Sequence, residues 1–460
     1  MRFCAHAATL FVQCMGLAML LLAIGGSGAL SAEFIDAAGR RVVVPDRVGR
    51  VMAADHTAEV LVLVLAPDKL AGLGREPRRG DLPPRFARVP VVQWRPDGNP
   101  ANMAEAALRL RPEVIVDASG ATPERAAYAD AVQQLTGLPY ILVDDSFART
   151  PGMLRALGTL LGVADRAGDL ALWAEHAIAG LRGRLLVRPA NMRPHVYYGR
   201  GASGLETPLP GSPSGAALDE AGAINVANGL GRGIRVLVSP EQLLAWDPEI
   251  IIAEQRGFYN ALQRDRGWRR LAAVRNNRVY LEPTSPFGWI DDPPGVNRLI
   301  GLYWLSILFY PEQTQEDLRT ITCDFYDKFY GEKLTTARLE ALVRQAGVKP
   351  PETPQPSEPL LGVPQSSLAP ITPSAPSTPS TLAPTAPQPS RPAREPASVT
   401  CTALAAPGTL TPLSPSGINP DLAPLMQENA PVGTPGVRPP GRRGPAGPTP
   451  GVGTPGALPR

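Results

Sequence analysis

The chain reads as an α/β protein of two lobes with mainly parallel sheets, joined by one long spine helix and followed by a Pro-rich tail. Three observations predict this. Short runs of Val and Ile alternate with helical stretches at the spacing of parallel sheets covered on both faces. A helix, a Pro-Glu turn and a β-branched run occur in that order twice, as Leu108-Arg109-Leu110-Arg111-Pro112-Glu113-Val114-Ile115-Val116 and as Leu244-Ala245-Trp246-Asp247-Pro248-Glu249-Ile250-Ile251-Ile252. Between them, a helical stretch from Thr150 to Leu186 is interrupted only near Gly162-Val163-Ala164 and has no strand run beside it.

The ends of the chain bound the folded part. Arg2 precedes an apolar run from Leu10 to Ile24, and small residues follow to Ala32. That layout is a secretory signal peptide, residues 1–32, with cleavage within 29–32. An uncleaved membrane anchor is the alternative, because the run is nearly long enough to span a bilayer. Beyond Pro350 about a quarter of the residues are proline, mixed with Ser, Thr, Ala and Gly. Such a composition buries too little apolar surface to offset chain entropy, so residues 349–460 are expected to be a disordered tail. Cys4 and Cys14 leave with the leader and Cys401 lies in the tail, so Cys323 is expected to be a buried lone thiol. The net charge of +3, with both signs interspersed, makes no case for nucleic acid.

The elements follow in order. Phe34-Ile35-Asp36 and Arg41 to Pro45 read as a hairpin, Arg50 to Ala54 as a buried strand, and Ala58 to Leu65 as an apolar helix. Lys69 to Leu73 is a second strand, and a helix beginning at Asn99 or Asn102 leads to Leu110. Val114 to Asp117 and Tyr140 to Val143 are strands around a helix from Thr122 to Leu135. The first lobe is thus residues 33–149 and the spine 150–188. In the second lobe, 189–315, strands at His195 to Tyr198, Ile250 to Ala253 and Arg278 to Leu281 alternate with helices from Ser214, Ser239, Phe258 and Trp268. Closing helices occupy 316–348.

The last strand runs into Phe287-Gly288-Trp289-Ile290-Asp291-Asp292-Pro293-Pro294-Gly295, ahead of the helical run from Leu299 to Tyr310. A stiff loop between strand and helix is where open α/β sheets bind ligands. With Leu65-Ala66-Pro67-Asp68-Lys69-Leu70-Ala71-Gly72, the two Pro-Glu turns, Arg275-Asn276-Asn277-Arg278-Val279-Tyr280 and Arg298-Leu299-Ile300-Gly301, the chain resembles, over about 34–312, the helix-linked periplasmic solute-binding proteins of ABC importers. That class serves siderophores, haem, cobalamin and, in some branches, molybdate-type oxyanions. The resemblance implies capture of a metal complex, foremost an iron chelate, in a cleft between lobes, or alternatively of a molybdate- or tungstate-type oxyanion. It further implies a monomer delivering its ligand to an ABC permease in the inner membrane, no cofactor, and little hinge closure. One acid per lobe, Glu105 and Glu241, is implied to dock on that permease.

Candidate ligand contacts are the residues after the strands. Arginines recur there on both sides and suit an anionic ligand: Arg75 and Arg95 in the first lobe, Arg200 and Arg256 in the second. Trp94, Tyr259 and Trp289 are candidate apolar walls. His56 is a candidate contact at the first strand end, against a turn-stabilising role. Trp289 alternatively packs as core, and Asp291 and Asp292 are expected to cap the following helix. Ser239 with Gln242, and Asn102 with Glu105, have capping-box spacing.

An exported α/β hydrolase is the other class to weigh. The chain has no G-x-S-x-G, H-E-x-x-H or P-loop motif, and its four histidines offer few bases. The expectation is a binding protein, not an enzyme. A sensor tethered by the tail is a third possibility.

Overall fold

A computed structural model of the protein describes residues 31–75, 82–92, 98–186, 189–312, 317–348 and Cys401. Residues 1–30 of the expected leader and the expected tail, apart from Cys401, lie outside the described residues. An antiparallel hairpin, β1 (Ser31–Ile35) and β2 (Arg41–Pro45), comes first. In β2 the alternating residues Val42 and Val44 are buried, the period of a half-buried strand. The hairpin turn is tied to the first sheet, where the Ala37 N–H donates to the Leu142 carbonyl at 2.9 Å.

That sheet is parallel, in the order β3 (Val51–Ala53), β4 (Val114–Asp117), β5 (Tyr140–Leu142). All three strands are buried throughout, as apolar runs covered on both faces require. Helix α1 (His56–Leu65) follows β3 and is buried from Thr57 to Leu65. It packs on β3 and β4, on α4 (Thr150–Leu160) and on a turn at Tyr326–Tyr330. Helices α2 (Pro100–Leu110) and α3 (Pro123–Thr136) pack on each other and close the other face. The strand expected at Lys69 to Leu73 is reduced to a 3-10 turn at Pro67–Lys69 and single bridges from Leu70 to Val51 and from Leu73 to Val91.

The spine is two packed helices, α4 and the 23-residue α5 (Ala164–Leu186), which spans about 35 Å. Their crossing depends on Gly158, where an added Cβ would lie 2.1 Å from the Ala167 Cβ.

The second sheet is also parallel. It combines β6 (His195–Gly199), β8 (Ile224–Asn225), β10 (Ile250–Ala253) and β11 (Val279–Leu281) in the order β11-β10-β6-β8, with a separate antiparallel pair of β7 (Glu206–Pro208) and β9 (Arg235–Leu237). Helices α6 (Pro213–Glu220), α7 (Pro240–Trp246), α8 (Arg256–Arg264) and α9 (Ala272–Arg275) connect these strands. The two Pro-Glu phrases have one physical job. Arg111 and Asp247, the residues before the prolines, close their helices in left-handed conformation, at φ 50° and 41°. The glutamates that follow accept a backbone N–H at the start of the neighbouring strand, Glu113 from Gly49 at 2.5 Å and Glu249 from His195 at 3.0 Å.

The closing region is α10 (Arg298–Phe309), α11 (Leu318–Phe325), a π-helical turn Tyr326–Tyr330 and α12 (Thr336–Ala346). One apolar core runs through both lobes, the spine and these helices, and two smaller clusters lie under α2 and α3 and under α7 and α8. Cys323 is not the lone thiol expected from the sequence. It is bonded to Cys401, with Cα atoms 5.6 Å apart, and both cysteines are buried. The tail's composition carries no signal for this, because a disulfide depends on where two Cα atoms lie, not on the chain between them.

Candidate functional site

Residues that follow β3 and β11 line a cavity of about 150 Å³ between the lobes. The first lobe contributes His56, Glu59, Val60 and Leu63, one face of α1 at helical spacing, with Leu73, Arg75 and Leu82. The second contributes Thr284, Pro286, Phe287, Asp292 and Pro293 from the loop ahead of α10.

The start of α1 is held by Asp55. Its carboxylate accepts the N–H groups of Thr57 at 2.8 Å, Ala58 at 3.0 Å and, across the sheet, Ala118 at 2.7 Å. Burial, reinforced by the nearby Asp117 carboxylate, pushes Asp55 up to about 7. One turn on, Glu59 is buried. One oxygen accepts the Gly74 N–H at 2.5 Å and the other meets His56 Nδ1 at 3.0 Å. Glu59 therefore orients the imidazole at the cavity and fixes the backbone beside Arg75. The Arg75 guanidinium crosses the cleft to Asp292, with Nη1 2.7 Å from Oδ1 and Nη2 3.3 Å from the Asp292 carbonyl.

The second-lobe loop is stitched from below by three buried polar side chains. Glu282, immediately after β11, accepts from Tyr198 Oη at 2.6 Å and from the N–H groups of Ile290 at 2.6 Å and Asp291 at 3.0 Å. Burial still pushes its carboxyl up to about 8. Asn297 donates to the carbonyls of Gly288 and, at 3.0 Å, Pro293. Asp291 pairs with Arg200 Nε at 2.8 Å, accepts from Ser214 Oγ at 2.5 Å and takes the Asp292 N–H at 2.9 Å. Neither Asp291 nor Asp292 caps the next helix, contrary to expectation. α10 begins after Asn297 with no side-chain cap, and both acids are engaged by arginines instead.

Of the residues named from sequence, His56 and Arg75 come together at the cavity. Trp94 and Arg95 lie outside the described residues. Arg200 is spent on acids, with Nη1 2.6 Å from Glu206 Oε1 besides its contact with Asp291. Arg256 is exposed at the start of α8, and Tyr259 packs on the cluster under that helix. Trp289 is 1% exposed and meets Trp304 edge-on, so it is core and not a cleft wall. Glu105 and Glu241 are exposed on α2 and α7. The expected box at Asn102 is displaced, since Asn99 caps α2, whereas Ser239 caps α7 through the Gln242 N–H at 3.1 Å. Sequence reasoning missed Glu59, Glu282 and Asn297. Only the place of Glu282 directly after a strand could have singled it out, and that place does not tell a buried acid from a solvated one.

Among the described residues no group of three or more His, Cys, Asp and Glu is placed to hold a metal ion, and no helix is long and apolar enough to cross a membrane. On its described wall the cavity thus combines a guanidinium paired with Asp292, an imidazole held by Glu59, and apolar side chains.

The model of the family "Periplasmic binding protein" matches residues 64–285. A curated molybdate-binding protein of Haemophilus influenzae is 26% identical over 343 residues, covering 68% of this chain and 95% of that protein. Among solved structures, an ABC transporter solute-binding protein from Sulfurospirillum deleyianum superposes with a TM-score of 0.60 at 26% identity, over 68% of this chain and 99% of its own. A periplasmic solute-binding protein from Veillonella parvula gives 0.56 at 20% identity, over 69% and 99%.

Proposed function

We infer, from the premise that this chain belongs to the periplasmic binding protein family of ABC transporters, that its ligand is a tetrahedral oxyanion of the molybdate and tungstate class. The carrying observation is the cavity: about 150 Å³, with Arg75 and His56 on its wall. Pockets for organic ligands usually occupy about 300–1,000 Å³, so a haem or a siderophore chelate fits this space poorly. The similarity to a molybdate-binding protein over 95% of that protein's length points the same way. In this reading Arg75 donates to the anion, His56, held by Glu59, lines the site beside it, and the apolar wall of Val60, Leu63 and Phe287 excludes water. The iron chelate, first in the sequence reading, becomes the alternative.

The ligand passes to an inner-membrane permease, with Glu105 and Glu241 as docking acids, one on each of the lobes drawn at 33–149 and 189–315. The test is isothermal titration calorimetry of the exported protein with molybdate, tungstate, sulfate and a ferric tricatecholate. Molybdate and tungstate should bind, and Arg75→Ala should weaken both about tenfold or more, as loss of a charged hydrogen bond implies. Heat from the ferric chelate alone, with none from molybdate, would replace this reading by the iron one.

A further inference from the structure

We propose that Asp292 occupies Arg75 as an internal stand-in for the ligand, and so sets the charge an anion must carry to enter the cleft. This rests on the oxyanion reading above. Both residues line the cavity, they come from opposite lobes, and the guanidinium is engaged twice by Asp292, through Oδ1 and through its carbonyl. The only other basic side chain on the described part of the wall is His56, which Glu59 holds. An incoming anion must therefore take Arg75 from a carboxylate.

The pair is built to exchange. Its side chains are 45% and 38% exposed, so water can solvate each partner as the contact opens, and such pairs are held weakly. Among the described residues, the other ion pair between lobes, Arg298 with Asp145, is buried at 2% and 16%, and that arginine also binds three carbonyls. The backbone under Asp292 is held at φ 57°, unusual outside glycine, while the Asp291 carboxylate accepts the Asp292 N–H and Glu282 accepts the Asp291 N–H. Asp292 is thus presented to Arg75 on a backbone that is itself hydrogen-bonded in place.

The consequence is selectivity by charge. A dianion outcompetes the single negative charge of Asp292 for Arg75, whereas a monoanion of the same shape gains nothing by the exchange and is repelled by the displaced carboxylate. Asp292→Asn removes the charge and keeps a residue that tolerates positive φ.

The experiment is titration of the full-length wild type, Asp292→Asn, and Asp292→Asn with Arg75→Ala, using molybdate and its monovalent isostere perrhenate, with circular dichroism to establish folding. The wild type should bind molybdate and not perrhenate. Asp292→Asn should bind molybdate about two- to fivefold more tightly, the scale of one half-exposed ion pair, and should admit perrhenate. Both gains should vanish with Arg75→Ala. Perrhenate still excluded by a folded Asp292→Asn, or gains that survive loss of Arg75, would overturn the proposal. Absence of molybdate binding in every folded form would instead bring down the oxyanion reading, and the proposal with it.

Discussion

Glu282 is fully buried and accepts hydrogen bonds from Tyr198 and two backbone N–H groups, yet burial outweighs these donors and raises its carboxyl from 4.5 to about 8. A group that holds its proton more tightly when folded stabilises the fold fully below its unfolded value. That contribution is lost as pH rises through the folded value. For Glu282 the window runs from 4.5 to about 8, and for Asp55 from 3.8 to about 7. Glu282→Gln, which mimics the protonated acid, should flatten the fall in stability across that range, measured by urea unfolding at several pH values. An unchanged slope would reassign the effect to other groups. Neither acid's role was legible in the sequence. A single Glu after a strand looks like a solvated strand end until the tertiary fold closes over it. His56 and Arg75 were legible because position after a strand already places a residue near a cleft. Trp289 and Arg200 had the same positional claim, but their side chains turn to the core and to acids.

At the scale of elements, α10 lies so close to the preceding loop that Gly301 has no room for a side chain. A Cβ there would stand 1.8 Å from the Trp289 carbonyl oxygen, which is backbone and cannot swing away. Gly301→Ala should therefore destabilise by about 1–3 kcal/mol, read as a lower melting temperature with the cavity loop loosened in hydrogen exchange. The repeated Pro-Glu phrase was legible as a pair of helix-to-strand turns because its cues are local: a helix end, a proline and a β-branched run. The strand pair β7 and β9 was not. Glu-Thr-Pro and Arg-Val-Leu are too short to show a period, and their pairing bridges a gap that only the folded chain closes. Within the closing helices expected over 316–348 lies a π-helical turn whose aromatic side chains Phe329 and Tyr330 pack on Trp173, Phe86 and Phe287. That packing is tertiary, and periodicity does not report it.

At the scale of the molecule, the lobes are joined by the spine and by the buried Arg298, which donates to Asp145 Oδ2 at 2.8 Å and to its carbonyl at 2.6 Å. Asp145→Asn leaves a buried guanidinium without its counter-charge and should cost about 3 kcal/mol, seen as a shifted denaturant midpoint. The two-lobe architecture was the most legible feature, since parallel strand runs and a long helix are patterns of order more than of contact. The proposed docking acids belong to this scale too. Glu105→Ala with Glu241→Ala should leave molybdate affinity unchanged and abolish uptake through the permease. Normal uptake would remove the docking role.

The bond between Cys323 and Cys401 changes the chain from a string into a lariat. Residues 323–401 form a covalent ring, and 402–460 follow it in the sequence. A force on that end is delivered to α11 directly, bypassing α12. A single proteolytic nick within the ring leaves both pieces attached until a reductant is added. Where the compartment is oxidising, anything that grips the C-terminus therefore holds the core of the binding protein and not merely its last helix.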